Sequence, residues 1–478
     1  MTVLLLSFVL VSYQPGTPQQ PETPNYIVIA WNDLGMHCAN LDFSNMCILP
    51  PYNNQYAHVI QTGTPTSMPV LLSSAQGVYC TYEIPGNTYS AGKTNFWDYA
   101  QHLFGVALPP NIGLTGVGLS GTMTDTLTYH VAEGIPITAF PDNAPTVPDP
   151  YQLTLISAYN SNNELIATTQ SVIPVSHEIN CVSSGCHSSE MNILNEHESV
   201  PGFNIADKPI LCANCHADNA LGMPGVAGVD PFSQVIHQKH GNKTNDCYKC
   251  HPGPNTQCFR DVMHNAGLTC QTCHGSVSQV GNSIEDGREP WLEEPSCGAS
   301  QCHGANYAEE PGKLFRQSKG HGGLYCSTCH GSPHAILPSE NDRDNVQNIA
   351  LQGYAGTLDK CDVCHGYTPA GPGPHGYNPL GIHPVDQVVP DLTELDPCYP
   401  NPSTWRTFIP LKIAVEGAVQ LQVLNGNGVV VKDVLNETLT PGQYRIETHT
   451  ASMPSGIYFV KMATEDGKVF LQKLIVLN

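Results

Sequence analysis

The chain runs to 478 residues, with 19 Cys, 21 His, 43 Gly and 40 Pro, while charged residues make up only 13%. That length predicts two or three domains, and the Gly and Pro content predicts short elements joined by many turns. A formal net charge of −22 repels phosphate backbones and argues against nucleic acid as a partner, and no apolar run reaches the roughly 18–20 residues that span a bilayer as a helix.

Residues 4–11, LLLSFVLV, are apolar and are followed by the Pro-rich QPGTPQQPETP. This fits the hydrophobic part of a secretory signal peptide over 1–13, with a Pro-rich linker over 14–25. The positively charged n-region of such peptides is missing, since the first basic residue is Lys93. Residues 26–175 read as an all-β domain, a sandwich. The run Tyr151–Tyr159 alternates, Asn160-Ser-Asn-Asn163 breaks it, and Glu164–Thr169 resumes, which is a hairpin signal.

Residues 176–392 carry 15 of the Cys, and neither helix nor strand periodicity persists there. Five segments have the form C-x-x-C-H: Cys212/Cys215/His216, Cys247/Cys250/His251, Cys270/Cys273/His274, Cys326/Cys329/His330 and Cys361/Cys364/His365. Two more are C-x4-C-H: Cys181/Cys186/His187 and Cys297/Cys302/His303. Covalent haem attachment demands this order: each thiol adds to one vinyl group of the porphyrin and the adjoining imidazole reaches the iron. Zinc sites and dithiol redox motifs have no reason to place His directly after every second Cys. Motif starts lie 31, 35, 23, 27, 29 and 35 residues apart. So few residues cannot wrap each haem separately, so neighbouring porphyrins are expected to touch or nearly touch. A mostly irregular, short-helix domain packed around haem is the expected form.

A low-spin transfer haem needs a second axial ligand, commonly His or Met. Outside the motifs this region offers nine His, at His177, His197, His237, His240, His264, His321, His334, His375 and His383, for seven haems. About six of them are expected to bind iron. Met191, Met223 and Met263 are expected to fill gaps in the core. His37 is a candidate to reach a haem across a domain boundary. Five Cys remain, Cys38, Cys47, Cys80, Cys258 and Cys398. A Cys38–Cys47 disulfide suits an exported domain, but connectivity stays open.

Residues 393–478 return to β pattern. Val419–Val423, a turn at Asn425–Gly428 and Val429–Val431 read as one hairpin; Ile457–Met462, Asp466-Gly467 and Val469–Leu471 read as a second. A small β-sandwich is expected.

The motif region resembles bacterial multihaem c-type cytochromes, a likeness carried by the seven motifs and by segments such as Cys326-Ser-Thr-Cys-His-Gly-Ser-Pro-His334. The resemblance implies seven haem c groups loaded outside the cytoplasm, His/His ligation and electron relay. The tail resembles the C-terminal sorting domain of the type IX secretion system through Tyr399-Pro-Asn-Pro402, Ser455-Gly-Ile-Tyr-Phe459 and Lys473-Leu-Ile-Val-Leu477. That resemblance implies passage through the periplasm and across the outer membrane, with the secretion machinery as a partner. Together they lead us to expect extracellular or surface electron transfer, with other redox proteins or extracellular acceptors as partners. Two alternatives stay open. One is a multihaem reductase of nitrite, hydroxylamine or a sulfur oxyanion with one open haem. The other is a polymerising homo-oligomer, a filament in which a His of one copy ligates iron in the next.

Overall fold

A computed structural model describes residues 26–369, 373–376, 382–386 and 390–477. The expected signal peptide and linker, 1–25, lie outside the described residues. The first domain packs two five-stranded sheets face to face. One runs Tyr26–Trp31, Asn54–Gln61, His130–Glu133, Thr124–Asp125, with Val70–Leu72 added beside Asn54–Gln61. The other runs His37–Cys38, Leu165–Ser176, Tyr151–Tyr159, Tyr79–Glu83, Ser120–Thr122. Strict alternation in Tyr151–Tyr159 turns every second residue inward, and Ile156 and Ala158 meet Val28, Val59, Ile135 and Ile173 in the core. The hairpin closes because the Asn160 side chain accepts from the backbone N–H groups of Asn162 (2.9 Å) and Glu164 (3.0 Å). The domain is not purely β: a helix, Phe96–Phe104, packs Phe96, Ala100 and Leu103 against Phe43 and Leu211.

From 177 to 376 the chain makes short helices and single turns; the longest helix, Asp342–Gln352, has 11 residues. This region is clamped to the first domain rather than tethered to it. Ile27 and Ile29, on the outer face of strand Tyr26–Trp31, pack with Val363 from the last motif. Arg260, 1% exposed, grips Asp344 through Nε (2.7 Å) and Nη2 (2.9 Å) and donates from Nη1 to the Gly35 carbonyl (2.9 Å). The Gln347 amide accepts from the Ala30 N–H (2.7 Å) and donates to the Ala30 carbonyl (3.0 Å), acting as a strand partner.

The tail is a sandwich of two four-stranded sheets. One has the order Ile382–Asp386, Gly442–His449, Arg406–Ile413, Glu394–Leu395; the other Val430–Leu439, Gly417–Asn425, Gly456–Thr464, Val469–Val476. Alternation in Arg406–Ile413 and Gly442–His449 sends Ile409, Leu411, Tyr444 and Ile446 inward against Leu421, Val460 and Leu474. Its first strand, Ile382–Asp386, comes from upstream of the boundary at 393. His449 meets Asp359 at 3.2 Å and ties the sandwich to the motif region.

Candidate functional site

Each short motif closes as one helical turn. Backbone N–H groups of His216, His251 and His365 donate to the carbonyls of Cys212 (3.0 Å), Cys247 (2.9 Å) and Cys361 (2.9 Å). Cys270–His274 and Cys326–His330 are one-turn helices. In such a turn residues three apart share a face, so both thiols point one way and the imidazole follows. The two longer motifs reach the same closure: His187 donates to Cys181 (3.1 Å) and His303 to Cys297 (3.2 Å). In the first of them Gly185 takes φ 78°, a left-handed backbone that glycine adopts readily.

Six motif histidines face a second histidine. Ring centroids are 6.0 Å apart for His187 and His240, 6.2 Å for His216 and His197, and 6.2 Å for His251 and His237. They are 6.2 Å apart for His274 and His334, 6.1 Å for His330 and His375, and 5.8 Å for His365 and His321. An iron with two axial imidazoles requires about 6.2 Å, since each metal–nitrogen bond is about 2.0 Å and each nitrogen lies about 1.1 Å from its ring centre. The residues fit the group. Tetrahedral zinc needs four donors, and among the described residues no three His, Cys, Asp or Glu converge on one point.

The outer nitrogens support the same geometry. Nδ1 of His237 lies 2.6 Å from the Ser233 carbonyl, Nδ1 of His240 2.7 Å from that of Ile236, and Nδ1 of His216 2.8 Å from that of Asp230. A carbonyl only accepts, so Nδ1 carries the proton and Nε2 keeps the lone pair that a metal needs. Burial, helped by nearby imidazoles, pushes His251, His330 and His334 down to about 4, so these rings are neutral at physiological pH. His334 (φ 63°) and His375 (φ 55°) hold left-handed backbone, a strained state that clusters at functional sites.

The remaining candidates are placed differently. His303 has its ring contact with Tyr307 (6.2 Å), which in turn meets His375 (5.2 Å). His177 packs on Phe140 (4.9 Å), and His264 bonds Glu340 (2.9 Å). His383 stands on strand Ile382–Asp386 in register with Arg445, and only its backbone is described. The Met191 sulfur lies near the Lys208 ammonium (3.9 Å), while Met223 packs with the Phe96 cluster. His37 spends Nε2 on Asp33 (2.8 Å) and is a buried structural histidine. Cys38 does not pair with Cys47; Cys38 neighbours Cys258, and Cys47 neighbours Cys212. Cys80 and Cys398 sit in the two sandwich cores. Sequence reasoning missed the orienting carbonyls of Ser233 and Ile236, whose signal is the four-residue offset from His237 and His240 on one helix.

Residues 397–477 match the family model described as "Secretion system C-terminal sorting domain". No curated protein matches the chain. Among solved structures, the chain is similar to the X-ray structure of a Northeast Structural Genomics Consortium target, at 19% identity, covering 20% of this chain and 82% of that one, with a TM-score of 0.10. A second likeness is to dimeric latent PorU from Porphyromonas gingivalis, at 10% identity, covering 95% of this chain and 34% of that one, with a TM-score of 0.16. Such scores define no shared fold. No helix among the described residues is long and apolar enough to cross a membrane. The tail, residues 397–477, is a type IX secretion sorting domain, and the chain it ends is exported to the cell surface or beyond.

Proposed function

We propose that this chain is an extracellular electron carrier holding seven haem c groups through its seven motifs. The observation that carries the reading is the set of six facing histidine pairs, each separated by the width of an iron with two axial imidazoles. When bound, haem supplies a reversible one-electron couple. The protein's part is to pin each group by two thiols, orient imidazoles such as His216, His237 and His240 through their Nδ1 bonds, and fill both axial positions so that six centres take no substrate. Residues available per motif are too few to wrap each macrocycle, which favours close neighbours and transfer from one to the next. Its partners are then other redox proteins or acceptors outside the cell.

A second reading rests on one observation, that the fifth motif's His303 faces Tyr307 rather than a histidine among the described residues. An open position at that haem suits a reductase of nitrite, hydroxylamine or a sulfur oxyanion. Material from a host that matures c-type cytochromes tests both. Pyridine haemochrome and intact mass are expected to give seven haems per chain, and EPR of the oxidised protein mainly low-spin signals. Far fewer haems overturn the proposal. Carbon monoxide binding to one reduced haem per chain favours the reductase.

A further inference from the structure

The chain visits the motifs in numerical order, but their side chains do not neighbour one another in that order. Helix Phe232–His240 lies between the second motif and the third. Its His240 faces His187 of the first motif, while His237, three residues earlier, faces His251 of the third. Side chains three apart on a helix stand about 5–6 Å from each other at Cβ, so the first and third centres are immediate neighbours. Asn180, beside Cys181, agrees: its N–H donates to the Cys250 carbonyl (3.2 Å) and its amide to the carbonyls of Tyr248 and His251 (3.3 Å each). The second motif joins beside the first: Lys208, four residues before Cys212, reaches the Met191 sulfur just beyond His187 (3.9 Å), and Cys212 is within Coulombic reach of Cys181. On its other side Leu211 pairs with Cys47 of the first domain, and His216 touches Phe232 at the start of the same helix (6.2 Å).

Beyond the third motif the order is regular. The Gln271 amide, next to Cys270, reaches the Cys247 sulfur at 3.6 Å. Cys273 lies within Coulombic reach of Cys302, and Cys297 within that of Cys326. Tyr307 touches both His303 and His375, which belong to the fifth and sixth centres. Leu358 N–H donates to the Cys329 carbonyl (2.8 Å), and Cys329 neighbours Cys364. At the far end the Cys364 carbonyl accepts from Gly63 of the first domain (2.8 Å).

We infer that the haems stand in the spatial order second, first, third, fourth, fifth, sixth, seventh, so that the haems of His216 and His365 are the two ends of the file and the haem of His187 is an interior relay. The inference rests on the haem reading above and adds a path to it. Electrons exchanged with an outside partner then enter or leave at an end, and removal of the first haem, not the second, cuts the path.

Ligand swaps that keep each haem attached test the order. Methionine in place of one axial histidine raises that haem's potential. The altered haem is then already reduced while its neighbours titrate, and the added electron lowers their midpoints. In an EPR-monitored redox titration, His197→Met is expected to lower the midpoint of one other haem, and His240→Met those of two. The opposite pattern, two for His197→Met and one for His240→Met, is what chain order requires and would overturn the inference while leaving seven haems in place. Fewer than seven haems in the unaltered protein would end both the order and the reading on which it rests. Should either methionine variant fail to accumulate, the single-thioether variants Cys215→Ala and Cys186→Ala carry the same comparison.

Discussion

Between 26 and 175 the described residues include 33 buried apolar side chains; between 176 and 392 they include eight. The sandwiches at both ends are held by aliphatic cores in alternating strands, which need nothing but the polypeptide. The middle has short helices, imidazoles facing across gaps, and little side-chain mass between them. Eight buried side chains contribute on the order of 2 kcal/mol each, against about 1–2 kcal/mol of backbone entropy for every residue ordered. The comparison teaches that the middle region, unlike the ends, builds little core from its own side chains, which is the part that haem fills in the reading proposed above.

The largest effect should come from withholding haem. Produced without cytochrome maturation, the chain is expected to lose protease resistance across 176–376 while the tail sandwich stays protected; equal protection of both regions breaks the contrast. Next is the seam, where Arg260→Met strands the buried Asp344 carboxylate and should cost about 3–5 kcal/mol, measured by denaturant unfolding of the haem-loaded protein. A loss under about 1 kcal/mol would mean that the Arg260–Asp344 pair does not brace the seam.

A third effect sits where the first sandwich meets the motif region, since the Tyr325 N–H lies 3.4 Å from Nε2 of His58. Burial, opposed by its bond to the Thr128 carbonyl, holds His58 down to about 4 from the usual 6.5. As pH falls below 6.5 the unfolded chain takes up this proton before the folded one does. Stability is therefore present above that pH and is lost between 6.5 and about 4, by about 3 kcal/mol. His58→Gln should flatten that part of the profile. The smallest effect is at the tail: Asp359→Asn weakens the contact with His449 and is expected to cost under about 1 kcal/mol, so the tail's melting should barely move.

What could be read from the sequence follows the same division. Hairpin Tyr151–Tyr159 with Leu165–Ser176 was visible because one buried face per strand imposes a period of two. The motif histidines were visible because covalent chemistry fixes their offset from the thiols. Their partners were visible only as a pool of nine, since an opposing imidazole answers to three-dimensional distance and not to spacing: His334 lies 60 residues beyond His274, yet His237 lies 14 before His251. Helix Phe96–Phe104 was missed inside a β-rich stretch. So was the seam with the first domain, where Gln347 and Ala30 are 317 residues apart.

That glutamine has a consequence for solubility. Strand Tyr26–Trp31 is the last in its sheet, and a bare outer rim of N–H and C=O groups is a template on which another copy could add a strand. By occupying both backbone groups of Ala30, Gln347 blunts that rim from within the same molecule. An exported protein thus carries its own guard against sticking to itself.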